Sequence, residues 1–188
     1  SRRSVITQRA SKSVSKACIL GGDRSDIAQA LLPYLVADGW TVHGWNRDSA
    51  RLPDVMWDLF LCTLGAVAPV GPWMTQHRED VEECVNSNLL MPLELLRSLW
   101  HKRKVWADGP QWEWMPEQVP SVCFLGGSNP QKIMPGYLGY NTSKMALLKA
   151  VEQIDAESPD AKVFALGPGY YRDSKSHAAT LAATWPNE

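Results

Sequence analysis

Tyr140 and Lys144 stand four residues apart in the segment GYLGYNTSKMALLKAVEQ (136–153), whose apolar spacing predicts a helix. Residues four apart lie on one face of a helix, one turn from each other. An ammonium beside a phenol lowers the pKa of that phenol, so the tyrosine could exchange a proton near neutral pH. A tyrosine–lysine pair also arises by chance on helix surfaces, so the remainder of the chain has to decide between the two interpretations.

Two further polar side chains precede this pair. Ser128 follows the apolar run PSVCFLGG, and Asn88 lies inside the helical pattern EDVEECVNSNLLMPLELLRSLW (79–100). Asparagine has a low propensity for helix interiors, so its presence there needs another reason. Asn86 is the competing choice. Taken singly, the serine would be a strand-end turn residue and either asparagine a helix-surface amide.

Short apolar runs that end in glycine alternate with helical patterns along the chain, and this predicts an α/β, Rossmann-like, doubly wound parallel sheet in three α/β/α layers. We expect five or six strands and ligand binding beyond their carboxyl ends. The expected domains are a basic N-terminal arm (1–15) and one Rossmann-like domain (16–188), with a Trp-rich insertion at 101–120. The predicted strands are 16–22, 40–45, 57–65, 120–128 and 161–169, and the predicted helices are 25–39, 79–100 and 139–157.

The order of these motifs resembles the short-chain dehydrogenase/reductase family over residues 16–174. The matching features are the glycine turn GGDRSDIA, CTLG in place of the family's Asn-Asn-Ala-Gly, the helix asparagine, the serine, Tyr-x-x-x-Lys, and GPG. The abbreviated middle and PGYLGY are similar to dihydropteridine reductases, although those lack this serine.

The resemblance implies a role for each polar residue. Tyr140 would be the catalytic acid/base, and Lys144 would lower its pKa and hold the nicotinamide ribose. Ser128 would bind the substrate oxygen, and Asn88 would hold a water in a proton relay. Asn88 is preferred over Asn86 because Pro92 follows it at the spacing associated with the family.

The resemblance also implies a nicotinamide cofactor. The first turn departs from the family, because Asp26 and Ala28 replace its second and third glycines. Asp26 would repel a phosphate unless it points away or caps the helix. The implied cofactor-binding residues are Gly21, Gly22, Arg24, Asp26, Ile27, Arg47, Leu64, Gly65, Tyr140, Lys144, Pro168, Gly169 and Tyr171.

Arg24 and Arg47 favour NADP(H), because guanidinium groups bind a 2′-phosphate and the second predicted strand does not end in an acid. Asp48 is the argument for NAD(H), which stays the alternative. The substrate implied is a small carbonyl or alcohol compound.

Composition and charge argue against several other classes of function. A net charge of −1 gives no reason to expect nucleic acid as a partner, and no apolar run approaches the ~20 residues that span a bilayer. The four cysteines have no metal-ligand spacing, so we expect free thiols, no metal site and a reducing compartment. Residues 1–22 are basic and Ser-rich, which fits a mitochondrial presequence remnant, a docking arm or a solvated tail. Cytoplasm and mitochondrial matrix are the expected locations.

Two functions remain open at this point. One is an NADP(H)-dependent oxidoreductase, expected to form a homodimer through the helices at 79–100 and 139–157. The other is a non-catalytic subunit of a larger, mitochondrial assembly. The second is favoured by the arm, the insertion, the altered glycine turn and the roughly 20 residues after GPG, where the family adds a substrate-covering segment. The eleven-residue link DSARLPDVMWD is a further departure, because family members usually have a strand and a helix there.

Overall fold

The fold is a parallel five-stranded sheet with helices on both faces. The computed structural model describes residues 16–107, 119–127 and 131–168. Every predicted strand is present, slightly shorter than expected, and the strand order is β2-β1-β3-β4-β5 with all pairs parallel. The strands are β1 (Ala17–Gly21), β2 (Thr41–Trp45), β3 (Leu59–Cys62), β4 (Ser121–Leu125) and β5 (Lys162–Leu166).

The helices also lie where the apolar spacing predicted them. The long pattern at 79–100 is interrupted by a π-helical turn, Asn86–Leu90, and then continues as far as Ala107. Residues 101–107 are therefore helical, while 1–15 and 108–118 lie outside the described residues. The α-helices are α1 (Asp26–Ala37), α2 (Arg78–Val85), α3 (Met91–Ala107) and α4 (Leu138–Glu157).

The two faces of the sheet form two separate apolar clusters, because successive side chains of a strand point to opposite faces. Ile19, Phe60 and Phe124 pack with Leu99 of α3 and Leu147 of α4. On the other face, Cys18, Leu20, Leu61 and Cys123 pack with Ala28 of α1. The three-layer α/β/α prediction is confirmed by this division.

The strand order reverses direction at β1, which pairs with β2 on one side and β3 on the other. In a parallel sheet the helices that follow such strands lie on opposite faces, and a crevice opens beyond the strand ends. The carboxyl ends of β1 and β3 therefore form the place where a ligand is expected.

The link between β2 and β3 is short, as the sequence indicated. Residues 46–58, all of which the structure describes, contain no helix or strand. Trp57 anchors the link: it is fully buried, and its ring lies 5.8 Å from that of Trp100 on α3. An open cavity of about 490 Å³ lies between the link and α3, with Trp45, Leu52 and Met91 among its lining residues.

All four cysteines are free and buried, as expected for a chain without disulfides. Burial raises the pKa of the Cys18 and Cys62 thiols to about 12 and that of Cys123 to about 11. These thiols are therefore packing groups rather than nucleophiles. Among the described residues, no helix has the length and apolarity needed to cross a membrane.

Substituting one buried leucine tests the packing of α3 against the sheet. Leu99 is 1% exposed in the main apolar cluster, whereas nearby Leu90 is 56% exposed. We expect Leu99→Ala to lower the free energy of unfolding by about 2–5 kcal/mol, because it leaves a cavity. The matched control Leu90→Ala should cost well under half as much. Urea denaturation measures both, and equal losses would contradict the described packing.

Candidate functional site

Tyr140 and Lys144 lie in the first two turns of α4, beside the end of β4. The Lys144 side chain is 4% exposed, and its Nζ donates a hydrogen bond to the carbonyl oxygen of Leu125 at 2.8 Å. The Tyr140 hydroxyl lies against Gly127, where a Cβ would come within 2.8 Å of it. Glycine at the end of β4 thus leaves the space that the phenol occupies.

Asn88 lies in the π-helical turn and is completely buried. Its Oδ1 accepts a hydrogen bond from the Ala66 backbone N–H at 3.2 Å, and its Nδ2 donates to the carbonyl oxygens of Ala66 (2.6 Å) and Cys84 (2.9 Å). The amide therefore ties the chain after β3 to the helix. Asn86 instead lines the apolar cavity beside α3, so the geometry favours Asn88. Single π turns in helices are frequent at functional sites.

Asn88 and Lys144 meet at Gly65, just beyond the end of β3. A Cβ at Gly65 would lie 2.7 Å from Asn88 Oδ1 and 3.3 Å from Lys144 Nζ. Three of the four residues predicted to be catalytic are thus brought to the ends of two neighbouring strands. The fourth, Ser128, lies outside the described residues, directly after Gly127 in the chain.

The electrostatics of the site centre on the Lys144 amine. Burial lowers the pKa of Lys144 to about 8, while the nearby thiols of Cys62 and Cys84 have the opposite, smaller effect. Desolvation disfavours the charged form of a buried lysine. The amine therefore changes charge close to the physiological pH range.

The first turn is organised by Ser25 rather than by Asp26. Ser25 is the N-cap of α1, and its Oγ accepts a hydrogen bond from the Ala28 N–H at 3.1 Å. Asp26 is the first helical residue, so the alternative in which it caps the helix is wrong. Ile27 follows, half-buried, and Ala28 is fully buried, so its methyl group fits between helix and sheet.

Thr63, from the CTLG segment, holds the glycine turn in place. Its hydroxyl donates to the carbonyl oxygens of Gly21 (3.0 Å) and Gly22 (2.9 Å) and lies 2.7 Å from Ser25 Oγ. The Thr63 hydroxyl has one proton, which it shares between these two carbonyl oxygens. The hydrogen bond between the two hydroxyls is therefore donated by Ser25. Sequence reasoning missed Thr63, because only the paired strands bring residues 21 and 63 together.

A crevice of about 250 Å³ opens beside this turn. It collects most of the predicted cofactor-binding residues of the first turn and of the ends of β2 and β3, whereas Gly21 is buried in β1. Pro168 is exposed after β5, and Gly169 and Tyr171 lie outside the described residues. The lining residues are Gly22, Arg24, Ser25, Asn46, Arg47, Asp48, Thr63, Leu64 and Gly65.

Both arginines of this crevice are paired with carboxylates. Arg24 Nη1 lies 2.7 Å from Asp48 Oδ2, and Arg47 Nη1 lies 2.7 Å from Glu83 Oε1. Arg47 Nη2 also donates to Ser87 Oγ at 2.6 Å. Hydrogen bonds from Ser87 and Arg47 hold the pKa of Glu83 below its ordinary value. Sequence reasoning did not anticipate Glu83 or Ser87, although their spacing of four on a helix was a signal.

An acid does lie at the end of β2, although the strand itself supplies none. The carboxylate of Asp23, from the first turn, accepts a hydrogen bond from Asn46 Nδ2 at 3.0 Å. It occupies the space beside Gly44, where any Cβ would overlap it. Asp23 is therefore an acid near this strand end that sequence reasoning did not consider beside Asp48.

Comparison with solved structures identifies the fold. No protein-family model matches the sequence, and no curated protein sequence matches it significantly. An oxidoreductase of the short-chain dehydrogenase/reductase family from Burkholderia thailandensis has a TM-score of 0.72 at 13% identity, over 92% of this chain and 75% of that one. A short-chain dehydrogenase/reductase from Saccharomyces cerevisiae has a TM-score of 0.71 at 15% identity, over 87% and 73%.

This chain has the short-chain dehydrogenase/reductase fold. A third similar structure, 3-oxoacyl-[acyl-carrier protein] reductase from Brucella melitensis in complex with NAD, has a TM-score of 0.72 at 16% identity, over 89% of this chain and 79% of that one. Asn88 and Lys144 adjoin Gly65, and Gly65 also lines the crevice beside the glycine turn.

The buried amine makes stability depend on pH in a defined direction. The pKa of Lys144 is about 8 in the folded protein and 10.5 ordinarily, so between these values the unfolded chain binds one more proton. The contribution of Lys144 to stability therefore rises with pH across that window. Relative to Lys144→Met, we expect the wild-type free energy of unfolding to increase by roughly 2–3 kcal/mol from pH 7.5 to pH 10.5.

The matched control is Lys149→Met, which removes an exposed lysine of the same helix. Its curve of unfolding free energy against pH should run parallel to that of the wild type. The pKa values of Cys18 and Cys123 do not depend on Lys144, so their contribution cancels from the differences. The Lys144 amine lowers the pKa of the Cys62 and Cys84 thiols, so that coupling is part of the difference between wild type and Lys144→Met. Parallel curves for wild type and Lys144→Met would contradict the lowered pKa.

Proposed function

We propose that this protein is an NAD(P)(H)-dependent oxidoreductase that acts on a carbonyl or alcohol substrate, with Tyr140 as the acid/base. The observation that carries the proposal is the meeting of Asn88, Lys144 and Tyr140 at Gly65 and Gly127. This meeting point adjoins a crevice at the reversal of strand order, where α/β sheets bind nucleotides.

The glycine turn fits a dinucleotide. Gly22 has a φ of 79°, and a Cβ there would lie 2.9 Å from the Leu64 backbone nitrogen, so only glycine is accommodated. The Ser25-capped amino end of α1 supplies the positive end of a helix dipole to a pyrophosphate. A bound nicotinamide would supply or accept the hydride.

The side chains of this chain handle the proton. Tyr140 would donate its hydroxyl proton to the oxygen of a carbonyl substrate and take it back in the reverse direction. Lys144, in its ammonium form, would stabilise the phenolate that remains. Ser128 is proposed to hold the substrate oxygen.

Asn88 is suited to a relay in one specific way. Both N–H groups of its amide donate to backbone carbonyls, and Oδ1 accepts from the Ala66 N–H. An amide oxygen has two acceptor sites, so one remains, and both Oδ1 and Lys144 Nζ lie close to Gly65. We propose that this site accepts a hydrogen bond from a relay water that leads to Lys144.

NADP(H) is the preferred cofactor of this proposal, with NAD(H) as the alternative. Arg24 and Arg47 both line the crevice, and their ion pairs are exposed to solvent. Exposed ion pairs contribute about 0–1 kcal/mol, so a doubly charged 2′-phosphate can displace a carboxylate from them. Asp23 and Asp48 favour NAD(H), because carboxylates accept hydrogen bonds from ribose hydroxyls.

A non-catalytic role in an assembly is the second candidate. The observation that favours it is a group of exposed apolar side chains on two adjacent loops, with Trp73 at 68%, Met74 at 75% and Ile133 at 89% exposure. The two loops are joined by the hydrogen bond from Gly71 N to Gly136 O at 2.9 Å. Such patches are common at protein interfaces.

Homodimer formation through α2, α3 and α4 is also proposed. Leu138 and Met145, both on α4, are 44% and 41% exposed, so this helix offers apolar surface to a second copy. Sedimentation equilibrium checks the proposal: a mass of twice 20.9 kDa is expected, and a monomer at micromolar concentration would contradict it.

Titration with NADPH and NADH, followed by energy transfer from the tryptophans, tests the cofactor. We expect NADPH to bind more tightly than NADH, and Arg47→Ala to weaken NADPH binding by about tenfold with little effect on NADH. Failure to bind either nucleotide at millimolar concentration would contradict the oxidoreductase proposal and favour the assembly role.

A carbonyl substrate screen with bound NADPH tests the chemistry. Tyr140→Phe keeps the ring and removes the proton donor, so it should bind NADPH as the wild type does and lose activity by about 10²-fold or more. Unchanged turnover in Tyr140→Phe would exclude this residue as the acid/base.

A further inference from the structure

We propose that Glu83 is a specificity-determining residue, which lowers the affinity of the crevice for a 2′-phosphorylated dinucleotide by holding Arg47. The inference rests on the proposed function, because it concerns the same nucleotide site. It adds a residue from α2 that does not line the crevice and acts on it through Arg47.

Three side chains form a closed set of hydrogen bonds between the end of β2 and the helix opposite. Arg47 Nη1 donates to Glu83 Oε1 (2.7 Å), and Arg47 Nη2 donates to Ser87 Oγ (2.6 Å). Ser87 in turn donates to the same Glu83 oxygen at 3.0 Å. Ser87 is completely buried, so one corner of the triangle is fixed by the core of the protein.

The triangle occupies part of the guanidinium that a phosphate would use. Guanidinium groups bind phosphate through two parallel N–H···O bonds, and each terminal nitrogen of Arg47 already gives one of its two N–H groups to this triangle. A 2′-phosphate at this wall of the crevice must therefore share the guanidinium with Glu83 or displace it, and it meets the repulsion of the Glu83 negative charge. A ribose 2′-hydroxyl makes neither demand.

The other arginine of the crevice is held much less firmly. Arg24 and Asp48 are joined by one hydrogen bond, and their side chains are 70% and 76% exposed. The side chains of Arg47 and Glu83 are 42% and 58% exposed. Arg47 also donates a second hydrogen bond, to the buried Ser87. Screening by solvent weakens the first pair more than the second. Glu83 is therefore the carboxylate that limits 2′-phosphate binding.

Glu83→Gln keeps the shape of the side chain and removes its charge. We expect this variant to bind NADPH about 5- to 10-fold more tightly than the wild type, while NADH binding changes less than twofold. Tryptophan energy transfer measures both. The gain should disappear in Glu83→Gln/Arg47→Ala, because the proposal routes the whole effect through that guanidinium.

Glu79→Gln is the matched control: it removes one negative charge from the same helix, one turn earlier, and Glu79 is exposed. An equal change in the NADPH/NADH ratio for this control would overturn the proposal. An unchanged ratio in Glu83→Gln, or a gain that survives Arg47→Ala, would also overturn it.

Competition by 2′,5′-ADP and by 5′-AMP separates this inference from the proposed function. These probes report on the adenosine end alone, so they respond to Glu83→Gln whether or not the protein turns over a substrate. A selective gain for 2′,5′-ADP supports the role of Glu83 even if no carbonyl substrate is found. Binding of neither probe and of neither nucleotide by the wild type overturns both proposals.

Discussion

The arrangement of the site depends on the burial of one amine. Lys144 is 4% exposed, and its Nζ is held by the carbonyl oxygen of Leu125 at the end of β4. A buried amine needs a hydrogen-bond acceptor and space for its side chain. The strand ends supply both, through a backbone carbonyl and through Gly65, which has no side chain. Asn88 is drawn to the same glycine and, by binding Ala66, orders the chain after β3. The strand ends, the π-helical turn and the start of α4 therefore form one unit.

The crevice beside the glycine turn follows a different principle, because its charges are nearly balanced. Each arginine has a carboxylate partner, and Asp23 adds an acid that the first turn delivers to the end of β2. The sequence shows which arginines are present. The positive charge that a ligand meets depends on which of them already pair with a carboxylate. The bond from Arg47 to the buried Ser87 shows how a surface cation becomes fixed by the interior.

Much of the architecture could be predicted from local patterns. Four apolar runs that end in glycine and the run WTVHGW form the five strands, and the segments 79–100 and 139–157 form helices. These elements could be predicted because apolar runs and helical spacing are visible in short stretches of chain. The joint order of Asn88, Tyr140 and Lys144 predicted which polar residues meet. Thr63, Asp23 and Glu83 were not predicted as site residues, because their partners across the crevice are 23 to 42 positions away.

The sequence by itself determined the class of fold, the free cysteines and the placement of Tyr140 and Lys144 on one helix face. The first follows from the alternation of strand and helix patterns, the second from cysteine spacing, and the third from residues within one helical turn. Only the tertiary structure decided that Asn88 rather than Asn86 reaches the site, that Ser25 caps α1, and that Arg47 is held by Glu83 and Ser87. The physical reason is that hydrogen bonds and ion pairs act over a few ångströms in space. Strand order and helix packing set those distances, and a linear sequence does not display them.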